Sequence, residues 1–182
     1  MEDRLNGDPH LSRGFTHINE RGQANMVNVL GKDHTRRVAV ARCVVRTSMD
    51  LDLVLDTRID GLDIIESARV AGVQAAKQTS TLIPLCHPIL LDAIHVEITA
   101  RQHHCEITAT AEITERTGVE MEALTACAIS GLSLVNALAA WDPDAFVDDL
   151  TLWHKSGGRS GTWQRGGDPT NPGAITNVDA DD

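Results

Sequence analysis

The sequence has no tyrosine, and only two phenylalanines and three tryptophans occur among its 182 residues. Aliphatic and small side chains must therefore build the hydrophobic core, and small side chains let neighbouring elements approach closely. With 42% hydrophobic residues, the composition is that of a globular protein and excludes a fibrous or disordered chain. The length suits one domain that buries a core of its own.

Positive charge is also scarce, since 16 lysines and arginines stand against 26 aspartates and glutamates, a formal charge of −10. This balance argues against sequence-independent nucleic-acid binding, which needs clustered cations. The sequence contains no run of about 18 apolar residues, so it predicts no membrane span. Residues 1–13 are polar and of mixed charge, unlike a signal peptide. We therefore expect a cytoplasmic protein with neither a nucleic-acid nor a membrane partner.

Cysteine is sparse and scattered. The four cysteines are Cys43, Cys86, Cys105 and Cys127, and none forms a CxxC pair. The spacing favours reduced, largely buried thiols over disulfides or a zinc site. We predict no metal centre.

The apolar pattern changes its period several times along the chain. Four segments have the alternation or β-branched content of strands: residues 37–48, 93–100, 105–114 and 146–154. Two segments have helical spacing: residues 63–79, with Asp63 as cap, and residues 120–140. The order strand, helix, strand, strand, helix, strand is that of the split βαβ, or ferredoxin-like, α+β fold. Right-handed crossovers then place both helices on one face of a four-stranded antiparallel sheet.

Both ends of the chain are rich in polar residues, glycine and proline and show no periodicity. They predict an N-terminal tail at residues 1–16, a domain at 17–163 and a disordered C-terminal tail at 164–182.

The first unusual segment, residues 82–88, holds Cys86 and His87 between Pro84 and Pro88. The prolines fix the backbone, so the segment is a rigid loop. A histidine held in this way can contact a phosphate or relay a proton near neutral pH. A packed loop with a capped histidine explains the pattern equally well, and both interpretations stay open.

The second segment, residues 117–125, enters the second helix through Gly118 and places Glu120 and Glu122 in its first turn. The helix dipole favours carboxylates there. Capping explains one glutamate, whereas the second favours a site.

The third segment, residues 155–161, is a run of glycine and serine flanked by Lys155 and Arg159. Such a loop can surround an anion with amides and charges. It lacks the order of a P-loop, so it does not predict an NTPase. The alternative is a flexible basic turn after the last strand.

Together with residues 15–18, 22–27 and 68–77, these three segments resemble, in order, the cyclic pyranopterin monophosphate synthases (MoaC type) of molybdenum cofactor biosynthesis. The resemblance covers residues 15–163. It implies a ferredoxin-like fold, a homo-hexamer built as a trimer of dimers, and active sites at subunit interfaces. The implied lyase reaction converts cyclised dihydroguanosine triphosphate to cyclic pyranopterin monophosphate and releases pyrophosphate. It implies no metal or organic cofactor.

The resemblance also implies site residues, position by position. Residues along the substrate are Leu85, Cys86, His87, Met121 and Glu122. Additional cationic contacts to an anionic substrate are Arg37, Arg69, Lys77 and Arg159. Catalytic positions are Lys155, His87, Glu120 and Asn136.

Several positions depart from the family pattern. Asn136 stands where the family has an essential carboxylate, and Ala139 and Gly61 stand where it has catalytic lysines. Asn25 and Asn28 occupy positions where the family commonly has histidine and aspartate. An amide cannot act as a general acid or base. These replacements predict a divergent active site.

Three hypotheses remain open from the sequence. The chain is an ordinary synthase in which His34, Asp63 or Glu66 replaces the missing groups. Alternatively, it is a repurposed enzyme acting on a related phosphorylated or heterocyclic molecule. The third hypothesis is a non-catalytic subunit that binds a ligand or pairs with a true synthase.

Overall fold

The computed structural model describes residues 17–19, 21–51, 58–59 and 62–166. Its strands are β1 (Thr35–Arg46), β2 (Arg58–Ile59), β3 (Leu62–Asp63), β4 (Ala93–Arg101), β5 (His104–Glu115), β6 (Phe146–Ser156) and β7 (Trp163–Gln164). Its helices are α1 (Ile64–Lys77), α2 (Thr79–Leu82) and α3 (Glu120–Leu138).

The central sheet is antiparallel and has the strand order β4-β5-β1-β6-β7. Its four long strands follow the order of the ferredoxin-like fold, with β1 between β5 and β6. Helices α1 and α3 pack on each other, α3 lies over β1, β5 and β6, and α1 lies over β4. The predicted α+β fold, with both helices against the sheet, is confirmed.

Every predicted long element lies within two residues of its observed bounds. The Asp63 cap is also confirmed, since its Oδ1 accepts a hydrogen bond of 2.6 Å from the Glu66 backbone N–H. The short elements β2, β3, α2 and β7 were not predicted. Gln164, the first residue of the predicted C-terminal tail, pairs with His154 in β7. Residues 1–16 and 167–182 of the predicted tails lie outside the described residues.

The core consists of small and aliphatic side chains, as the scarcity of aromatic residues requires. Strands β1 and β5 alternate inward-facing buried residues with partly exposed ones. Gly72 of α1 lies so close to α3 that a Cβ there would stand 2.9 Å from the Ala126 carbonyl oxygen. Three of the four cysteines, Cys43, Cys105 and Cys127, are buried free thiols, as predicted.

Helix α3 is long and apolar enough on composition to cross a membrane, and half of its apolar window is buried. Its buried face packs on the sheet and on α1, which is the environment of a core helix. The end of α3 is fixed by Asp142, whose Oδ2 accepts hydrogen bonds from the Thr47 hydroxyl at 2.6 Å and the Ser48 N–H at 2.7 Å. These bonds hold the carboxyl end of α3 against the end of β1.

Candidate active site

A cleft opens between the loop after α2 and the first turn of α3. It is lined by Leu85, Cys86, His87 and Ile89 from the loop, by Thr117, Gly118, Glu120, Met121 and Glu122 at the start of α3, and by His17. Two of the three segments singled out in the sequence therefore meet at one place.

The loop that carries Cys86 has a strained backbone. Leu85 has φ 68°, in the left-handed region that side chains other than those of glycine and asparagine rarely adopt. This conformation costs about 1–2 kcal/mol, and such strain concentrates at functional sites. Pro84 and Pro88 restrict the backbone on either side, so the loop is held in this shape.

His87 is oriented by a backbone carbonyl. Its Nε2 lies 2.9 Å from the Val27 carbonyl oxygen. Because a carbonyl only accepts, Nε2 must carry the hydrogen, and in the neutral ring Nδ1 is then an acceptor. The two sequence interpretations of His87 therefore combine: one nitrogen is capped, and the ring still lines the cleft.

Glu122 is a buried carboxyl at the base of the first turn of α3. The residue is only 4% exposed, and its carboxyl accepts a hydrogen bond from its own backbone N–H, which favours the charged form. Burial raises the pKa of Glu122 to about 7, and the nearby charge of Glu120 acts in the same direction. A carboxyl with this pKa can both donate and accept a proton near neutral pH.

Cys86 shares the cleft with Glu122. Burial raises the pKa of the Cys86 thiol, and the Glu122 charge raises it further. Because its pKa is raised, Cys86 is present as a thiol at neutral pH. Only the thiolate is a strong nucleophile. Its environment suits packing or hydrogen bonding rather than covalent catalysis.

Lys155 reaches the same helical turn from the sheet. Its Nζ lies 3.2 Å from Glu120 Oε1, and each side chain is 31% exposed. Lys155 pairs with Ala39 of β1, so β6 positions it. A Cβ at Gly118 would meet the Glu120 carboxylate, so a larger residue there would move Glu120 from its position beside Lys155.

The glycine-rich segment 155–161 begins at Lys155 and requires its glycines. Gly157 has φ 92° and Gly158 has φ 68°. A Cβ on Gly157 would collide with the Arg36 carbonyl oxygen, and one on Gly158 would collide with the Arg37 guanidinium. The segment is therefore folded closely against the start of β1.

Residues 26–158 match the profile of the MoaC family. A protein of Mycobacterium tuberculosis (strain ATCC 25618 / H37Rv), named cyclic pyranopterin monophosphate synthase 2, is 48% identical over 159 residues, which cover 86% of this chain and 94% of that protein. This chain belongs to the MoaC family.

Other relatives agree. The cyclic pyranopterin monophosphate synthase of Thermomicrobium roseum is 49% identical over 154 residues, covering 83% of this chain and 93% of that protein. The protein of the same name from Rhodospirillum rubrum is 43% identical over 158 residues, covering 85% and 95%.

The four additional cations predicted from the MoaC resemblance do not line the cleft within one chain. Arg37 donates to the Glu115 and Arg116 carbonyl oxygens at 2.8 and 3.1 Å. Arg69 donates to the Val96 carbonyl oxygen at 3.1 Å and pairs with Glu66.

Arg159 and Lys77 complete this set. Arg159 donates to the Gly31 carbonyl oxygen at 3.3 Å, and Lys77 is exposed in the last turn of α1. Arg37 lies against the glycine-rich segment, and Arg159 is part of it. Substrate contact by any of the four stays a prediction.

Two of the positions predicted to depart from the MoaC pattern, Asn136 and Ala139, do not line the cleft within one chain. Asn136 and Ala139 are exposed, and sixteen residues separate Asn136 from Glu120 along α3, about 24 Å. One chain therefore does not bring Asn136 to Glu122 or Lys155. Gly61 lies outside the described residues.

The three groups considered as replacements have other partners. His34 lies 3.3 Å from Glu115, Asp63 caps α1, and Glu66 pairs with Arg69. None of the three lines the cleft as the described residues form it.

Sequence reasoning missed His17 and Ile89 as cleft residues. His17 did stand in one of the segments that carry the resemblance, residues 15–18, but its place in the fold does not follow from that.

Proposed function

We propose that this MoaC-family chain is a cyclic pyranopterin monophosphate synthase, a lyase that rearranges cyclised dihydroguanosine triphosphate and releases pyrophosphate. The observation that carries the proposal is Glu122, a buried carboxyl whose pKa is about 7, in a cleft with His87 and beside the pair of Lys155 and Glu120. The names of the relatives at 48% and 49% identity support the same reaction.

Each cleft residue has a role that its surroundings suit. Glu122 exchanges a proton with the reacting ring, because it titrates near neutral pH. Lys155 supplies positive charge for an anionic intermediate or phosphate, and Glu120 holds its ammonium in place. His87, with Nε2 fixed by Val27, hydrogen-bonds the substrate. Met121 and Leu85 pack against it.

The active enzyme is proposed to be a cytoplasmic homo-hexamer, a trimer of dimers, that acts on a small anionic substrate without metal or organic cofactor. One face of the carboxyl-terminal half of α3 supports assembly, since Leu132 is 55% exposed and Asn136, one turn later, is also exposed. Light scattering should give a mass about six times the 19.7 kDa of one chain. A monomeric mass would contradict the assembly.

The test of the function is to supply cyclised dihydroguanosine triphosphate to the purified protein and to follow pyrophosphate and pterin together. We expect equal amounts of both products, accumulating over repeated turnovers of the enzyme. Pyrophosphate without pterin, or neither product, would contradict the proposal.

A second candidate is a repurposed MoaC homologue that acts on a different phosphorylated heterocycle. Asn136, Ala139 and Gly61 favour it, because all three lack the ionisable groups that the resemblance implies at those positions. Tight binding of guanosine triphosphate without turnover of the cyclised substrate would favour this candidate. Absence of both would favour a non-catalytic subunit.

A further inference from the structure

The residues before β1 form an arm, residues 17–19 and 21–32, whose first part is a hook held by its own hydrogen bonds. The Asn25 N–H donates to the His17 carbonyl oxygen at 2.8 Å, and Ile18 pairs with Ala24. Asn19 Oδ1 accepts from the backbone N–H groups of Arg21 and Gln23, each at 3.0 Å. The hook therefore fixes the backbone of His17 locally.

The arm is fastened to both loops that flank the site. The Val27 carbonyl accepts from His87 Nε2 at 2.9 Å, in the loop after α2. The Gly31 carbonyl accepts from Arg159 at 3.3 Å, in the glycine-rich segment. The arm therefore contacts both loops, and His17 is its residue that lines the cleft.

His17 is the arm residue that lines the cleft. Its backbone carbonyl holds the hook, whereas its imidazole is exposed and has no hydrogen-bond partner among the described residues. An exposed imidazole that lines a cleft is available to a ligand.

The charges of the cleft explain why an imidazole is useful there. Two of its lining side chains, Glu120 and Glu122, are acidic, and Lys155 is already engaged by Glu120. A polyanionic substrate needs additional hydrogen-bond donors to lie beside carboxyl groups. The imidazole N–H of His17 is such a donor.

We propose that His17 is a substrate-binding residue, held at the cleft by the hook and contacting the phosphorylated substrate directly. The inference rests on the proposed function, because the substrate is taken from it. The arm is then the wall of the site that joins the loop of His87 to the glycine-rich segment.

The first experiment compares His17→Ala with wild type in the synthase assay. Since His17 contacts the bound substrate without taking part in bond making, KM should rise about tenfold while kcat stays within about threefold. His17→Gln keeps a hydrogen-bond donor and should recover most of the loss. His95→Ala, an exposed histidine on β4 outside the cleft, should leave both constants unchanged.

A second pair of variants tests the hook without removing the imidazole. Asn19→Ala loses the acceptor for two backbone N–H groups and should raise KM in the same direction as His17→Ala. Asn19→Asp keeps that acceptor but loses the donor to Gln23 Oε1 at 3.2 Å, so it should recover only part of the loss.

The outcomes separate this inference from the proposed function. If wild type turns over and His17→Ala changes neither constant, or lowers kcat alone, the inference is wrong and the function stands. If wild type does not turn over, the function is wrong, and guanosine triphosphate serves as the binding probe. Tenfold weaker binding of that probe by His17→Ala would then support the inference. Equal binding, or no binding by wild type, would overturn it.

Discussion

Two carboxyl groups at opposite ends of α3 are buried to the same extent, yet their surroundings differ. Glu122, in the first turn, and Asp142, just after the last, are each 4% exposed. Asp142 accepts hydrogen bonds from Thr47, Ser48 and Asp144, and these bonds hold its pKa below the usual range. Glu122 accepts a hydrogen bond from its own backbone N–H alone, burial outweighs it, and the pKa of Glu122 is raised to about 7. The first carboxylate fastens the fold, whereas the second is available for proton transfer.

The difference has two causes: desolvation dominates at Glu122, whereas hydrogen bonds from Thr47 and Ser48 dominate at Asp142. The helix dipole favours a charged Glu122, but it contributes only about 0.3–1 kcal/mol at a typical helix end. Desolvation of Glu122 is the larger effect and acts in the opposite direction.

The largest expected effect is on catalysis at Glu122. Glu122→Gln keeps the shape of the side chain and removes its titrating proton, so kcat should fall about 10³-fold. Steady-state kinetics measure this, with Glu97→Gln on β4 as the control because Glu97 is exposed outside the cleft. A kcat within threefold of wild type would remove Glu122 from the chemistry.

The same variant should stabilise the protein at high pH. The folded-state pKa of Glu122 is raised from 4.5 to about 7, so ionisation favours the unfolded chain above pH 4.5, and the penalty is complete above pH 7. At about 1.4 kcal/mol per pH unit, Glu122→Gln should gain about 3 kcal/mol of unfolding free energy at pH 8 and nothing near pH 4.5. Urea denaturation at both values measures it. A gain that does not depend on pH would contradict the assignment.

Lys155, the partner of Glu120, gives the next effect. Lys155→Met removes the charge but keeps most of the stem, and kcat should fall about 10²-fold. Lys155→Arg keeps the charge, so its kcat should fall less than that of the methionine variant. Equal losses in both would show that the shape of the ammonium, and not only its charge, is required.

The carboxyl-terminal half of α3 can be tested by adding groups. The combined variant Gly61→Lys, Asn136→Asp and Ala139→Lys introduces the ionisable groups that the resemblance implies, and kcat should rise about tenfold or more. An unchanged kcat would show that the amino-terminal cleft suffices in this chain. Asn136 and Ala139 are exposed, so these substitutions should not disturb folding, and circular dichroism checks this.

The smallest effect is expected at Asp142. Asp142→Ala removes an acceptor of three hydrogen bonds and should lower Tm by several degrees at pH 7, with kcat nearly unchanged. The Tm of Asp142→Asn should lie between those of wild type and Asp142→Ala. Because the pKa of Asp142 is lowered in the folded state, its stabilisation is present above pH 4 and is lost as pH falls through the folded-state pKa. A large loss of kcat in Asp142→Ala would contradict the purely structural role of Asp142.

The fold was predictable because its long elements have clear periods. Each of the six predicted elements lies within two residues of its observed bounds. Strands of two residues, such as β7, have too few positions to show alternation. The left-handed backbone of Leu85 was not predicted either, because it depends on the surrounding loop and not on the residue type.

The site was predictable as a set of segments but not as a set of roles. A sequence shows that Arg37 and Arg69 are charged, but not that backbone carbonyls take their donors. It shows Glu122 in a first turn, where capping is expected, but burial is a property of the packed chain. The distance of about 24 Å between Glu120 and Asn136 follows from the predicted helix 120–140, but the position of the cleft at its first turn does not.

The most direct test of the account is a titration of the Glu122 carboxyl by carbon-13 NMR, with Glu122→Gln identifying its resonance. The account predicts an apparent pKa of about 7 for Glu122 in the folded protein, while Asp142 stays ionised down to below pH 4. A Glu122 resonance that titrates below pH 5 would contradict the claim that this carboxyl exchanges protons in the neutral range.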